Sequence, residues 1–142
     1  MKKRKLLIPV FATAAILGSC QFESFDKRCA RESIEYTEQH CPLRIDPCTV
    51  LDSMAYDIDQ RTLQYYYTLE GILDSTNTLT PEVVEGFTKQ LKNDIINSVQ
   101  LRKYKKERIN FKYIYKSKAT GKTSLSIQFA PADYETAPAA SR

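Results

Sequence analysis

The only histidine of the chain, His40, is followed directly by Cys41, which places a general base beside a thiol. Cysteine catalysis requires the imidazole within hydrogen-bonding reach of the sulfur. His40 ends a helical segment, and side chains that are adjacent on a helix do not face each other. We therefore predict no catalytic residues at this position.

A metal site would have to draw on His40, Cys41, Asp46 and Cys48. These residues lack the paired C-x2-C or H-x3-H spacing that is typical of zinc sites. A disulfide is the simpler use of the cysteines in an oxidising compartment. We expect neither a metal nor a cofactor.

Two further motifs have ordinary structural explanations. Asp57 and Asp59 could form a carboxylate pair, but a strand that ends in a turn explains them equally well. The segment "ATGKTS" (119–124) contains the Gly-Lys-Thr of a phosphate loop. Lys116 stands where the first glycine is needed, and a strand follows instead of a helix. We expect a polar turn there.

Cys20 ends a leader that begins with "KKRK" (2–5) and continues as the 13-residue apolar run "LLIPVFATAAILG" (6–18). This run is short of the roughly 20 apolar residues that span a bilayer. A basic start, a short apolar body and small residues before a cleavage point are typical of a secretory signal peptide.

The leader ends in the tetrapeptide Leu17-Gly18-Ser19-Cys20. It resembles the lipobox of bacterial lipoprotein precursors. The resemblance implies cleavage before Cys20 and acylation of its thiol, with residues 1–19 as signal peptide and 20–24 as a lipidated tether. Gln21 is not the aspartate of an inner-membrane retention signal. We therefore expect a lipid-anchored protein of the outer membrane, at its periplasmic face or at the cell surface.

Removal of the leader changes the charge of the chain. The full sequence has a formal net charge of +4, but four of its 21 basic residues lie in 2–5, which leaves 17 against 17 acidic residues. Nucleic acid is not an expected partner. The remaining cysteines, Cys29, Cys41 and Cys48, are disulfide candidates whose pairing the sequence leaves open.

Hydrophobic periodicity predicts the elements of the mature chain. Helices are expected at 25–40 and from Pro81 to about 100, and alternating strands at 49–58, 61–70, 109–116 and 124–129. The order helix, hairpin, helix, hairpin predicts an α+β fold with two layers, in which two helices pack on a four-stranded antiparallel sheet. We expect one domain over 25–130 and a disordered tail over 131–142.

A second resemblance covers roughly residues 30–130. The chain is similar to small exported bacterial proteins of unknown function in four motifs, which are Cys41-Pro42, Leu51-Asp52, Leu63-Gln64-Tyr65-Tyr66-Tyr67 and Tyr113–Tyr115. This resemblance supports export and the fold, and it implies no activity.

Tyr66 must face away from Tyr65 and Tyr67, so an open sheet face would expose it. Nine basic residues and one acid fall between Arg102 and Lys122. The residues predicted to bind a partner are Tyr66, Lys112, Ile114, Lys116 and Lys118.

These features favour a non-enzymatic envelope protein that binds a protein or glycan partner through its sheet face or its basic hairpin. The alternative is a small hydrolase inhibitor or enzyme displayed on the membrane. An enzyme predicts a pocket lined by convergent polar groups. An inhibitor predicts a protruding loop at 71–80 or 117–123.

Overall fold

The computed structural model describes residues 22–75 and 77–135. These residues form two layers, with all helices on one face of a mixed sheet. The helices are α1 (Phe25–His40), α2 (Pro81–Asn97), α3 (Arg102–Lys106) and α4 (Pro131–Tyr134), with a 3-10 turn at Gly71–Asp74. The strands are β1 (Leu43–Asp46), β2 (Thr49–Asp57), β3 (Thr62–Leu69), β4 (Asn110–Ser117) and β5 (Thr123–Phe129).

The α+β class is confirmed, but the predicted sheet was wrong in two details. The described part of the sheet has five strands in the order β1-β2-β3-β4-β5, and its central pair, β3 and β4, is parallel. β1 lies within "CPLRIDPC", whose two prolines suggested a loop. The segment 70–109 contains α2 and returns the chain to the end of the sheet where β3 begins. Such a long crossover is what parallel neighbours require.

Both long helices begin at a capping side chain. The hydroxyl of Ser24 accepts a hydrogen bond from the backbone N–H of Lys27, and the hydroxyl of Thr80 accepts one from Val83. Pro81 occupies the first turn of α2, where its missing N–H has no intrahelical partner to lose. The predicted start of α2 is therefore confirmed.

Replacing Thr80 with alanine is expected to lower the free energy of unfolding by about 1 kcal/mol, because the N–H of Val83 loses its acceptor. Urea denaturation followed by circular dichroism measures this loss. Thr80→Ser keeps the acceptor and should stay within about 0.5 kcal/mol of the parent. Equal stability of all three proteins would contradict the capping role.

The core lies between the helices and the odd-numbered side chains of β3 and β4. Leu63 and Phe111 are neighbours across these strands, and both are fully buried. Every buried residue of the described chain falls between Cys29 and Tyr134. This part of the chain therefore contains a complete core, and we expect it to fold without the leader.

The ordered domain extends past residue 130, the boundary expected from composition. α4 is short, but the hydroxyl of Tyr134 donates a hydrogen bond of 2.7 Å to the carbonyl of Ile109. Arg108 forms an ion pair with Glu135. Tyr134 packs edge-on against Phe111. The remainder of the predicted tail, residues 136–142, lies outside the described residues, as do the signal peptide and Cys20.

Candidate functional site

The residues with catalytic or metal-binding potential do not converge. His40 is exposed at the end of α1, with its ring centroid 4.7 Å from that of Tyr36. Within residues 22–75 and 77–135, no group of three or more His, Cys, Asp or Glu side chains is arranged to hold a metal ion. None of the helices described there has both the length and the apolar content needed to cross a membrane. Gly121 has a φ of +69°, as the turn predicted for "ATGKTS" requires.

The predicted disulfide is not supported, because Cys29, Cys41 and Cys48 are free thiols in the structure. Cys41 precedes β1 and Cys48 follows it, so the four residues of this strand separate them. Such a strand is about 13 Å long, whereas the Cα atoms of a disulfide lie within about 7 Å. Cys29 is buried on α1 with 1% of its surface exposed.

Burial raises the pKa of the Cys29 thiol to about 11, and the neighbouring Glu32 carboxylate adds to the shift. The thiolate is the reactive form, so this thiol is expected to react with N-ethylmaleimide about a hundredfold more slowly than an exposed cysteine at pH 7.5. Cys41 and Cys48 are partly exposed and should react first. Peptide mapping by mass spectrometry of the folded, reduced protein measures the three rates. Equal rates would show that Cys29 is accessible.

Four of the five residues predicted to bind a partner share the open face of the sheet. Tyr66 pairs with Ile114 in the β3–β4 register, and Lys112 and Lys116 flank Ile114 on the same face. The Tyr66 hydroxyl donates a 2.6 Å hydrogen bond to the Oε1 atom of Gln64. Lys118 is not part of this face, because it lies in the β4–β5 turn. Its Nζ atom bonds to Glu70 at 2.9 Å.

A groove runs along β3 on the other face of the sheet, bordered mainly by α2 and, at one end, by α3 and Tyr36 of α1. We call it the tyrosine groove, because its floor consists of tyrosine side chains from β3 and β4. Three recesses lie along it, and β3 lines all of them. β4 and α2 contribute to two recesses, whereas α1, β2 and α3 contribute to the third. The lining residues nearest the centre are Tyr65, Tyr67, Leu91, Asp94 and Tyr113.

The floor is a stacked ladder of aromatic rings. Tyr65 stacks on Tyr113 with centroids 5.0 Å apart and an interplanar angle of 6°, and Tyr67 stacks on Tyr115 at 4.8 Å and 11°. At one end of the ladder, Phe87 of α2 packs edge-on against Tyr115. Each stacked pair stabilises the floor by about 0.5–1.5 kcal/mol beyond its area burial.

The hydroxyl groups of the ladder point to a binding role. Among the described residues they have no hydrogen-bond partner, and their oxygen atoms are not sealed from solvent. Burial raises the pKa of Tyr67 to about 12 and holds that of Tyr65 well above its ordinary value. Tyrosine hydroxyls are protonated at neutral pH in any case, so these can donate to a bound molecule. Tyrosine is enriched at interaction hot spots, where its ring supplies apolar area and its hydroxyl finds a hydrogen-bond partner.

One end of the tyrosine groove deepens into an apolar cavity of about 110 Å³. Leu69 and Tyr115 form its floor, and Phe87 and Val84 of α2 form one wall. Val83, at the rim, is 45% exposed, although it is a large apolar residue at the start of a helix. The cavity is large enough for one apolar side chain, since a cavity of about 150 Å³ holds benzene.

The sequence placed Tyr65, Tyr67 and Tyr113 in the core, and the structure agrees: Tyr113 is buried, and Tyr65 and Tyr67 are partly buried against the core. It did not show the groove beside them. The signal that could have revealed it lies in the helices. The apolar stripe of α1 is narrow, and α2 buries only Ile95 completely among its 17 residues. Two helices with so little buried surface leave β3 partly uncovered between them.

Comparison with solved structures shows that this two-layer fold occurs in a candidate secreted protein and in two pilotins of bacteria. A candidate secreted protein from Pseudomonas aeruginosa has 10% sequence identity and a TM-score of 0.66, over 78% of this chain and 92% of that chain. The type 2 secretion system pilotin EpsS from Vibrio vulnificus has 6% identity and a TM-score of 0.60, over 79% and 93%. The pilotin AspS of the type II secretion system from Vibrio cholerae has 10% identity and a TM-score of 0.54, over 76% and 90%.

The fold thus defines a class of small α+β domains that includes pilotins. Within this class the chain belongs to the family of the domain of unknown function DUF8479, whose model matches residues 24–126. None of the curated protein sequences matches the chain significantly.

Proposed function

We propose that this protein is a lipid-anchored adaptor of the bacterial envelope, which binds a segment of another envelope protein in the tyrosine groove. The observation that carries the proposal is the ladder of stacked tyrosines along the groove, whose hydroxyls form no hydrogen bond with any described residue. Such a floor offers apolar area and hydrogen-bond donors at a low cost in side-chain entropy.

The anchor places the groove close to the membrane. Cys20, the proposed lipid attachment point, lies five residues before Phe25, the first residue of α1. An extended chain of this length spans at most about 18 Å. The domain would therefore stay within reach of proteins inserted in the same membrane.

The similarity to pilotins supports a role in protein export. Two structures with this fold are pilotins of type 2 secretion systems. By analogy with them, we propose that the partner is a protein component of an envelope secretion machinery. The analogy rests on the fold, because sequence identity to these two proteins is 10% or lower.

The alternative functions receive no comparable support. An enzyme would need convergent polar groups, but none of the three recesses of the groove is lined by His40, Asp57 or Asp59. An inhibitory loop at 71–80 would protrude, whereas Leu73 and Leu79 line the apolar cavity.

The proposal is tested by capture from envelope extracts with immobilised protein spanning residues 22–142. Two variants form a matched pair. Leu91→Glu introduces a charge in the groove, and Ile114→Glu introduces a charge on the open face. We expect the first to abolish capture of a distinct protein and the second to retain it. If Ile114→Glu abolishes capture and Leu91→Glu does not, the binding site lies on the open face. Thermal melting verifies that both variants are folded.

A further inference from the structure

We propose that a basic recess formed by Arg102, Lys105 and Lys106 binds the phosphate groups of anionic lipids in the membrane that holds the anchor. None of these three residues lines the tyrosine groove. The inference rests on the proposed function only through the lipid anchor. Three observations carry it, namely the position of the tether, the charge of the recess and its size.

The recess lies at the end of the domain where the tether enters α1. The ring of Phe25, the first residue of α1, lies 6.1 Å from that of Tyr104 in α3, measured between centroids. Asp26 forms an ion pair of 3.1 Å with Arg61, whose Nη2 atom lies 3.8 Å from the carboxylate of Glu107, the residue after α3. At most about 18 Å of extended chain separates the lipid attachment point from α1, so α3 lies near the membrane.

The recess carries cations that no carboxylate neutralises. Arg102 and Lys106 are exposed and form no ion pair with any residue that the structure describes. The Nζ atom of Lys105 donates to the carbonyl oxygens of Ile95 and Ile96 at 2.8 and 2.6 Å. These carbonyls belong to the last turn of α2 and carry only a partial negative charge, so Lys105 remains a net cation.

The carboxylates beside the recess are already paired. Glu135 lines it and forms an ion pair with Arg108. Glu32 of α1 is paired with Lys103 at 2.7 Å. The recess is therefore positively charged, and it is complementary to an anion.

The recess has a volume of about 450 Å³, and Ile96 and Tyr134 also line it. It therefore has room for a phosphate group between the cations. Because the tether confines the domain to the membrane surface, lipid phosphates are the anions present there at the highest effective concentration. An anionic membrane strengthens attachment about fivefold for each basic residue near its surface.

This contact is too weak to replace the anchor, but it would orient the domain. β3 begins at Thr62, next to Arg61 at the tether end, and Leu69 lies about 23 Å further along the strand. The apolar cavity, which Leu69 lines, would therefore open away from the membrane.

Sedimentation with vesicles tests the inference on unlipidated protein spanning residues 22–142. Vesicles of phosphatidylcholine are compared with vesicles of equal parts phosphatidylcholine and phosphatidylglycerol. At low salt we expect partitioning into the anionic vesicles to be about tenfold stronger or more, and high salt should abolish the difference. Arg102→Gln and Lys106→Gln should each weaken this partitioning about fivefold.

Lys116→Gln provides the matched control. Lys116 is exposed and forms no ion pair with any described residue, and it lies at the end of β4 far from the tether. Its substitution removes the same charge more than a Debye length from the membrane, so partitioning should change less than about twofold. Thermal melting verifies that all three variants are folded.

Equal partitioning into both kinds of vesicle would overturn the inference, and so would an equal effect of the control and the two recess variants. These failures are distinct from those of the proposed function, because the vesicle experiment uses neither an acyl chain nor a ligand of the groove. The anchor fails if palmitate labelling persists after Cys20→Ser, and the groove fails if Leu91→Glu does not affect capture.

Discussion

Replacing Cys20 with serine is expected to abolish the incorporation of radioactive palmitate and to release the protein from the membrane fraction. The thiol is the predicted acylation site, and serine cannot form the thioether of a lipoprotein. A single acyl chain gives only marginal membrane binding, so stable anchoring needs the two or three chains that a lipobox cysteine acquires. We therefore expect the chain to lose its whole anchor when this one atom is changed.

A matched control comes from Cys41→Ser, because Cys41 is partly exposed and follows a helix rather than an apolar leader. This variant should incorporate as much palmitate as the parent and stay in the membrane fraction. Labelling that persists after Cys20→Ser would refute the lipoprotein assignment, and with it the proposed envelope anchor.

Replacing Tyr67 with alanine is expected to weaken binding of the captured partner by about 30-fold or more, in the range of interface hot spots. Tyr67 lies at the centre of the groove, stacks on Tyr115 and carries a hydroxyl without a described partner. The alanine variant loses the apolar area, the donor and the stacking contact together. Tyr67→Phe removes the hydroxyl alone and should cost about two- to tenfold.

Tyr66 provides the control from the neighbouring position. It lies on the same strand with the opposite orientation, so Tyr66→Ala should weaken binding less than about threefold. Surface plasmon resonance with the purified partner measures all three variants. Melting temperatures must accompany the affinities, because Tyr67→Ala also removes a stacking contact from the domain.

Local sequence patterns predicted most of the elements because their physical signals are local. Thr80 and Pro81 marked the start of α2, and alternation marked β3 to β5 within one or two residues. β2 was predicted from a less regular apolar run. β1 was missed because Pro42 and Pro47 bracket it, and proline is depleted in strands. The parallel pairing of β3 and β4 was missed because one order of hairpins and helices is compatible with more than one sheet topology.

The sequence predicted which tyrosines of the candidate site share a face of the sheet, but it did not predict the groove. Strand periodicity placed Tyr65 and Tyr67 together and Tyr66 on the other face, and this arrangement is what the register shows. Whether a helix covers a given strand depends on where α1 and α2 settle on the sheet, and that is decided by packing over the whole domain. The sequence therefore pointed to the open face, whereas the structure reveals a groove beneath the helices.

Site-specific photocrosslinking in living cells tests the central claim most directly. A benzoyl-phenylalanine replaces either Tyr67 or Tyr66 in the full-length chain, so the two probes differ by one position and by the face they occupy. We predict that the probe at position 67 crosslinks to one distinct envelope protein and that the probe at position 66 does not. A crosslink from position 66 alone, or from neither position, would contradict the groove as the binding site.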